Sequence, residues 1–430
     1  MVLAFLAALS LPITGTVHLP SGVTEVASEI HIPAGAHDLT IIGHGTTLRA
    51  SANFRGRAIL SCQGCQRIQL RNLTIDGNRE ALEKPMALPA ANQTFASVFS
   101  NNGILLEDAD GVALDHIDLI NIANFAILVS RSHNIDLEHI SVKESGSRNA
   151  KGRNNSSGGI LFEEGVDRFT VTDSSFTNIR GNAIWTHSRS GSPRNHDGKF
   201  TNNRFDNIGR DAIQVGHAIG IEVSTNIGAR IGFPVGLIDV EGGGTPVAID
   251  TAGNVENSTY EHNEFREING KCIDLDGFHD GIIRGNKCIN RGKPEDYAFG
   301  HFGIVFNNAN RDMQSQNIVV EDNELEGMKF GGIFVIGTGH KILRNRLLHI
   351  NTAHCNENAK QFGCSVLNEP DVLDTGIYLG SHAEHPAPAR GNLIEGNTIT
   401  GWKMKTRCIQ AAPGVKLSDN TIQNNTCTDE

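Results

Sequence analysis

Short runs of alternating apolar and polar residues begin near residue 16 and recur along the chain, separated by turn residues. The first four are TVHLP, EIHIP, LTIIG and TLRA, all within residues 16–60. Alternation with a period of two is typical of β-strands, and Pro and Gly between the runs are typical of turns. The pattern predicts an all-β chain that is built from many short strands.

A second type of strand begins with a small residue followed by Ile, and we call it the GI-strand. Its copies are GILLE at 103, AILVS at 126, GILFE at 159, AIWTH at 183, AIQVG at 212, CIDLD at 272, GIVFN at 303, GIFVI at 332, GIYLG at 376 and CIQAA at 408. A polar turn residue recurs in phase with these strands, at Asn72, His116, His139, Asp173, Asn203, Asn263, Asn286, Asn323, Asn345, Asn397 and Asn420. The repeat therefore runs through almost the whole chain.

A repeat of about 22 residues with short strands and turns predicts one coil of a parallel β-helix, with about 10–12 coils in total. Stacked coils bring equivalent residues to about 4.8 Å, so the Asn side chains are expected to form a hydrogen-bonded ladder. Over residues 16–425 the repeat resembles the right-handed parallel β-helix, pectin-lyase-like superfamily. That resemblance implies the fold. It selects no activity, because the superfamily contains lyases, hydrolases, epimerases and non-catalytic phage proteins.

The repeat predicts a single β-helix domain over residues 16–430, because each coil of a solenoid packs only on its neighbours. The apolar stretch 1–15 is read either as the remnant of a secretory signal or as an N-terminal cap. Loop-like insertions flank the GI-strands on both sides, the longest at 80–102, 217–258 and 352–375. Long loops around one sheet predict a groove whose floor is the outward face of the GI-strands.

Charge and cysteine content narrow the class of protein. The 37 Lys and Arg against 48 Asp and Glu form no basic stripe, so a nucleic-acid partner is not expected. No apolar run reaches the roughly 18 residues of a membrane span. Eight cysteines indicate an oxidising compartment, hence a secreted or periplasmic protein. A β-helix can pack its flank as a homotrimer or stay a monomer, and both states are left open. Cys355 and Cys364 are the best disulfide candidates and Cys62–Cys65 a second, whereas Cys272 and Cys288 are read as small core residues.

The third and fifth residues of each GI-strand are expected to point outward, because strand side chains alternate. Near the middle of the chain these positions combine aromatic, amide and carboxylate groups. Such groups suit a sugar, since an aromatic ring stacks on its apolar face while polar groups bind its hydroxyls. The predicted carbohydrate-binding residues are Glu163, Trp185, Gln214, His217, Asn307 and Tyr378.

Asp274 and Asp276 lie on one face of one strand, with Cα atoms roughly 6.6 Å apart. Two carboxylates that close repel each other, so one should have a raised pKa. This is the acid and base arrangement of an inverting glycoside hydrolase, whose carboxyl groups are about 6.5–9.5 Å apart. His187 and His279 are expected to assist. No cofactor is predicted, although Asp-x-Asp on a strand is also a pattern that binds Ca²⁺.

Three functions are therefore weighed: a glycoside hydrolase acting on a poly- or oligosaccharide, a polysaccharide lyase or uronan C5-epimerase, and a non-catalytic glycan-binding β-helix. A lyase needs a base, often Lys or Arg, and a cation. The predicted floor has no Lys or Arg at its centre, which favours the hydrolase. A purely adhesive surface would carry aromatic residues without clustered acids, whereas this floor has both.

Overall fold

The structure, a computed structural model, describes residues 11–311, 313–364 and 372–430. The chain divides into two compact units. The first contains the described residues up to Asp211 together with Gly236–Gly244, and the second contains Ala212–Val235 and Thr245–Glu430. Most of the stretch predicted as a signal remnant or cap, residues 1–10, lies outside the described residues.

The first unit is a stack of parallel strands in which coil follows coil. Its strands are β1 (Gly15–His18), β2 (Gly22–Ile32), β3 (His37–Gln63), β4 (Gln66–Asp76), β5 (Asn102–Glu107), β6 (Asp110–Ile120), β7 (Ile127–Ser130), β8 (His133–Lys143), β9 (Ile160–Glu163), β10 (Asp167–Thr172), β11 (Ser175–Ile179), β12 (Ile184–His187), β13 (Asn195–Thr201) and β14 (Arg204–Ile208). The GI-strands of this unit, β5, β7, β9 and β12, pair in register. Their second residues form a column of buried isoleucines, Ile104, Ile127, Ile160 and Ile184.

The second unit repeats the same architecture. Its strands are β15 (Ile213–Val215), β16 (Ala218–Ile219), β17 (Glu222–Ser224), β18 (Ile227–Ile231), β19 (Val247–Glu256), β20 (Thr259–Glu261), β21 (Glu264–Ile268), β22 (Lys271–His279), β23 (Ile282–Arg284), β24 (Lys287–Ile289), β25 (Ile304–Asn307), β26 (Val319–Glu321), β27 (Glu324–Glu326), β28 (Ile333–Val335), β29 (Lys341–Leu343), β30 (Arg346–Ile350), β31 (Ile377–Leu379), β32 (Leu393–Glu395), β33 (Thr398–Gly401), β34 (Ile409–Ala411), β35 (Thr421–Gln423) and β36 (Thr426–Asp429). Its inward column is also isoleucine: Ile213, Ile249, Ile273, Ile304, Ile333, Ile377 and Ile409. Each fully buried side chain of this kind stabilises the unit by about 1.5–3 kcal/mol. The predicted parallel β-helix is thus confirmed in each unit.

Helices are short and lie in the segments that connect strands. They are the α-helices α1 (Arg79–Leu82), α2 (Phe95–Val98), α3 (Val240–Gly243) and α4 (Cys355–Phe362), and the 3-10 helices Val235–Leu237, Pro294–Asp296, Val372–Asp374 and Leu417–Asp419. Among the described residues, no helix has both the length and the apolar character that crossing a membrane requires.

The segment 217–258, predicted as an insertion, is largely one more coil of the second unit. Strand β17 pairs with β20, β18 with β21, and β19 with the strand β22 that carries the Asp pair. The sequence of β19 explains this pairing. Ala248, Ile249 and Asp250 follow the GI-strand pattern of a small residue, an inward Ile and an outward third residue. This extra coil changes which residues surround Asp274.

The predicted Asn ladder is present in the second unit, as a column of side-chain amides at Asn226, Asn263, Asn286, Asn323, Asn345, Asn397 and Asn425. All of them are buried except Asn425, which is half-buried. Asn286 shows the bonding. Its Oδ1 accepts from the backbone N–H and Nδ2 of Asn263 at 3.1 and 2.9 Å, and its Nδ2 donates to Tyr260 O at 2.7 Å and to Asn323 Oδ1 at 3.0 Å. Each coil is therefore hydrogen-bonded to the next at a turn that would otherwise bury unpaired backbone groups.

Two parts of the predicted ladder are wrong. At its end, Asn425 holds the ladder position, while Asn420 accepts from Asn392 N in a separate column. At its beginning, His116 and His139 are exposed turn residues in the left-handed region, with φ of 54° and 52°. Asn72 and Asp173 have the same backbone conformation, with φ of 57° and 49°. In these early coils the sequence pattern is offset by one residue from the buried turn position.

All eight cysteines are paired, as Cys62–Cys65, Cys272–Cys288, Cys355–Cys364 and Cys408–Cys427. The first and third pairs confirm the prediction. The interpretation of Cys272 and Cys288 as unpaired core residues is wrong. Cys272 begins the CIDLD strand, and the disulfide ties that strand to Cys288 in β24.

Candidate functional site

The second unit carries an acidic cluster on the outward face of its GI-strands, formed by Asp250, Asp274, Asp276 and Lys271. Cα pairing places Asp250 on β19 beside Asp274 on β22, and Asp276 beside Asn307 on β25. The outward direction predicted for the two aspartates of CIDLD therefore holds. Gln214 and Asp274 belong to consecutive GI-strands in the sequence pattern, but they are not neighbours, because the coil that carries Asp250 lies between them.

Asp274 is buried and bears an ion pair. It is 5% exposed, and its Oδ2 contacts Lys271 Nζ, three residues earlier on the same strand. Its Oδ1 is buried and has no hydrogen-bond partner in the protein. An unsatisfied buried carboxylate oxygen is costly, so it marks a place where a substrate hydroxyl or a water would be bound.

Lys271 holds its charge in this cluster. Burial by itself would lower its pKa, but attraction by Asp274, and more weakly by Asp250 and Asp276, raises the pKa overall. The ammonium group therefore stays protonated at neutral pH. It partly offsets the repulsion among three carboxylates that neighbouring coils bring together.

Asp276 has the environment of a proton donor. Burial raises its pKa to about 6, a hydrogen bond from the backbone N–H of Ala309 opposes the rise, and the Asp274 charge adds to it. That hydrogen bond is 2.7 Å long and ends on Oδ1, so a proton on the carboxyl group is carried by Oδ2. The predicted raised pKa of one of the two aspartates thus falls on Asp276.

Backbone geometry explains why the coils approach so closely here. Gly277, directly after Asp276, has φ of 79°, and a Cβ at this position would lie 2.5 Å from Gly253 O on the preceding coil. Only glycine combines a positive φ with the absence of a Cβ that would clash with the neighbouring coil. His217 lies one coil before Gly253 and packs its ring against that glycine, at the turn beyond Asp250.

Asp250 and Gln214 support the cluster from the other side. Gln214 Nε2 donates to Asp250 Oδ2 at 2.7 Å, and both side chains are 8% exposed. The amide therefore fixes the orientation of the carboxylate that lies beside Asp274. In the sequence pattern Asp250 falls within the segment 217–258, which was predicted to be an insertion.

His279 lies at the far end of β22 and is held from both sides. Its Nδ1 is 2.7 Å from Asp280 Oδ2 and its Nε2 is 2.9 Å from Asn254 Oδ1, and the residue is 6% exposed. With both ring nitrogens engaged by protein groups, its geometry is that of a positioning residue. Nothing in the structure tests the predicted catalytic role.

Asn307 lies beside Asp276, and His301 lies near Lys271. Asn307, half-buried next to Asp276, accepts from Asn308 N at 2.8 Å. Burial, with a smaller contribution from Lys271, lowers the pKa of His301 to about 3, so this imidazole is neutral. Sequence reasoning overlooked His301 and Lys271, because neither occupies an outward third or fifth position of a GI-strand.

Tyr378 lies further along the same face of the second unit. It is 1% exposed, and its ring stacks on Phe334 with centroids 6.2 Å apart and an interplanar angle of 16°. The pair is a buried aromatic stack rather than an open platform. Binding of a sugar by Tyr378 therefore stays a prediction that requires movement of the residues that cover it.

In the first unit, Glu163 anchors a loop. Its carboxylate accepts hydrogen bonds from the backbone N–H groups of Phe95 at 2.8 Å and Ala96 at 2.9 Å, at the start of α2. Burial raises the pKa of Glu163 to about 7, against the opposing effect of these two bonds. We call residues 92–99 the strap. A second anchor is Arg189, which donates to Asn92 O at 3.0 Å.

Trp185 and His187 lie under the strap. Phe95 packs edge-on against both rings, with centroid distances of 4.9 Å to Trp185 and 5.3 Å to His187. Trp185 is 8% exposed and belongs to an apolar cluster with Phe99 and Phe125. The expected open groove floor is therefore a covered apolar surface in this unit, because the insertion 80–102 folds back over it.

Comparisons with known proteins agree with this fold. PfbA, a surface adhesin of Streptococcus pneumoniae, has a TM-score of 0.55 at 14% identity, over 77% of this chain and 82% of its own. DFA-IIIase from Arthrobacter chlorophenolicus A6, in complex with GF2, has a TM-score of 0.52 at 12% identity, over 95% of this chain and 87% of its own. A family 28 exopolygalacturonase of Yersinia enterocolitica has a TM-score of 0.52 at 12% identity, over 78% of this chain and 69% of its own.

Sequence comparisons found no match, either with a protein-family model or with a curated protein. The similarity to solved structures shows the fold, a right-handed parallel β-helix. At such low identity the fold is all that the similarity shows. Any activity has to be argued from the acidic cluster itself.

Proposed function

We propose that this protein is a carbohydrate-active enzyme, a glycoside hydrolase that cleaves a poly- or oligosaccharide at the acidic cluster. The observation that carries the proposal is the unequal environment of two carboxyl groups on one strand face. Asp276 has a pKa raised to about 6, whereas Asp274 is paired with the ammonium group of Lys271. Carboxyl groups whose environments differ in this way divide the roles of acid and base.

In this mechanism Asp276 is the general acid and donates the proton on Oδ2 to the glycosidic oxygen as the bond to the anomeric carbon breaks. Asp274 is the general base, and its unpaired Oδ1 accepts a proton from the attacking water. An inverting reaction needs about 6.5–9.5 Å between the two carboxyl groups to leave room for that water, and side chains that project from one strand face with Cα atoms roughly 6.6 Å apart permit such a separation. Asp250, oriented by Gln214, adds negative charge that stabilises an oxocarbenium-like transition state.

Other predicted residues take supporting roles in this proposal. Asn307, beside Asp276, is placed to bind a sugar hydroxyl, and His279 keeps the end of β22 in position. The carbohydrate-related names of two similar structures, the DFA-IIIase and the exopolygalacturonase, support the class of substrate. The four disulfides support a secreted or periplasmic location.

The test is incubation of the pure protein with a panel of neutral and acidic polysaccharides, followed by measurement of new reducing ends. The wild type should release reducing ends from at least one polymer, and a variant with both Asp274→Asn and Asp276→Asn should release none. Asp419→Asn, at an exposed acid in the last 3-10 helix, is the matched control and should keep full activity. Equal activity of the double variant would overturn the site assignment.

A second candidate, a polysaccharide lyase or uronan C5-epimerase, is favoured by Lys271. Contrary to the sequence-based expectation, a cation does lie at the centre of the floor, where it could neutralise a uronate carboxylate. Cleavage by elimination creates an unsaturated product that absorbs near 235 nm, and epimerisation incorporates solvent deuterium. Absorbance or deuterium uptake without a hydrolytic product would replace the hydrolase by this candidate.

A further inference from the structure

We propose that the first unit carries a binding site for a divalent transition-metal ion such as Zn²⁺, formed by Asp115, His116 and His139. The three residues lie at one turn on two successive coils, in β6 and β8. His116 and His139 are polar turn residues that take no part in the Asn ladder, and Asp115 directly precedes His116. The proposal is independent of the acidic cluster, which lies in the other unit.

Backbone register brings the two imidazoles together. Asp115 pairs with Glu138 and Ile117 with Ile140, so His116 stands directly beside His139. Both histidines have a left-handed backbone, with φ of 54° and 52°, which gives their side chains the same direction from the turn. Their ring centroids are 4.4 Å apart. Two rigid strands therefore hold the pair, and it does not depend on a flexible loop.

The ligand atoms already converge. Asp115 Oδ1 lies 2.6 Å from His116 Nδ1 and 3.0 Å from His139 Nδ1. One ligand atom from each residue lies within 4.8 Å of those of the other two. A tetrahedral Zn²⁺ with bonds of about 2.0–2.1 Å needs ligand separations of roughly 3.3 Å. Rotations of exposed side chains can supply that adjustment.

Two further acidic residues, Glu138 and Asp173, lie beside His139. Glu138 and Asp173 also form a second ligand set that shares His139. His139 is thus the common ligand of both sets.

The donor set selects the class of metal. Imidazole nitrogen is a preferred ligand of Zn²⁺, Cu²⁺ and Ni²⁺, whereas Ca²⁺ and Mg²⁺ prefer oxygen ligands throughout. His37 provides a contrast in the same unit. Its Nδ1 is 3.0 Å from Asp38, yet among the described residues it belongs to no group of three potential ligands. A lone His–Asp pair is expected to bind a metal ion only weakly.

The experiment is isothermal titration of the full-length, tag-free protein, stripped with EDTA, with ZnSO₄ at pH 7.5. One equivalent of Zn²⁺ should bind in the micromolar range, unaffected by millimolar Ca²⁺. His139→Ala should weaken binding by at least a hundredfold and His116→Ala by at least tenfold. His37→Ala should bind as the wild type does. Circular dichroism of each metal-free variant separates loss of ligands from loss of fold.

The outcomes that overturn the proposal are equally definite. Binding that is absent in the folded wild type, or that Ca²⁺ abolishes, would refute it. Binding that is unchanged in His139→Ala would place the ion elsewhere. If a variant fails to fold, Co²⁺ is added to the wild type as a second probe of the site. A visible d–d absorption spectrum of histidine-ligated Co²⁺ is expected, and its absence would contradict the site.

Discussion

Glu163→Gln is the substitution that most sharply tests the strap, residues 92–99. The carboxyl pKa rises from the model-compound value of 4.5 to about 7, chiefly through burial. The difference is 7 − 4.5 = 2.5, so at about 1.36 kcal/mol for each pKa unit it corresponds to roughly 3 kcal/mol. This figure follows from the pKa shift of a side chain that solvent does not reach.

The sign follows from proton binding. The folded protein holds the proton on Glu163 more tightly than the unfolded chain does, so this stabilisation is complete below about pH 4.5. It is lost as the pH rises through about 7, where the folded protein must bury the charge. Glutamine is neutral at every pH. Glu163→Gln should therefore remove this part of the pH dependence, although it also weakens one of the two bonds to the strap.

The assay is urea unfolding between pH 4.5 and 8, followed by tryptophan fluorescence. The chain has two tryptophans, so a Trp402→Phe background leaves Trp185, beneath the strap, as the reporter. The difference in unfolding free energy between wild type and Glu163→Gln should change by roughly 3 kcal/mol across this range. A difference that stays constant with pH would refute the reasoning.

Glu164→Gln is the matched control for this experiment. Hydrogen bonds from Arg189 and Ser192 outweigh partial burial and lower the pKa of Glu164, so its stabilisation is lost only as the pH falls below its unfolded value of 4.5. Between pH 4.5 and 8 this variant should keep the wild-type slope. A slope changed equally in both variants would show that the effect is not specific to Glu163.

The remaining predictions concern the acidic cluster and the ladder. Lys271→Met should reduce hydrolysis at least tenfold. It should also move the alkaline limb of the pH–rate profile above about pH 6, because Lys271 lowers the pKa of Asp276. An unmoved limb would argue against Asp276 as the acid. Asn286→Ala should destabilise the second unit by about 3–5 kcal/mol in urea unfolding, since it leaves several buried polar groups unpaired, whereas the exposed Asn310→Ala should change stability by under about 0.5 kcal/mol. Removal of divalent ions with EDTA should leave the hydrolysis rate unchanged; a loss restored by Ca²⁺ would favour the calcium interpretation of Asp274 and Asp276.

Much of the fold could be predicted because the repeat itself is the fold. The small-Ile step recurs in phase, and the inward isoleucine column follows from strand alternation alone. The same alternation placed Asp274 and Asp276 on the outward face and set Asp276 beside Asn307. These predictions needed only local periodicity and a constant register between neighbouring coils.

The rest depends on contacts between residues that are distant in sequence. The covering of Trp185 requires the strap to fold back onto residues about one coil or more away, through two backbone bonds to Glu163. No periodicity in residues 92–99 predicts that. Asp250 was missed for a different reason, since the segment 217–258, which forms most of one coil of the second unit, was taken for a loop.

The central claim is that Asp276 donates the proton in the cleavage of a glycosidic bond. Its most direct test is the rate of reducing-end release by Asp276→Asn on the polymer that the wild type cleaves, relative to wild type and to Asp419→Asn. The rate should fall by about 10²–10⁴-fold in Asp276→Asn and stay unchanged in Asp419→Asn. A rate for Asp276→Asn within twofold of the wild type would contradict this role of Asp276.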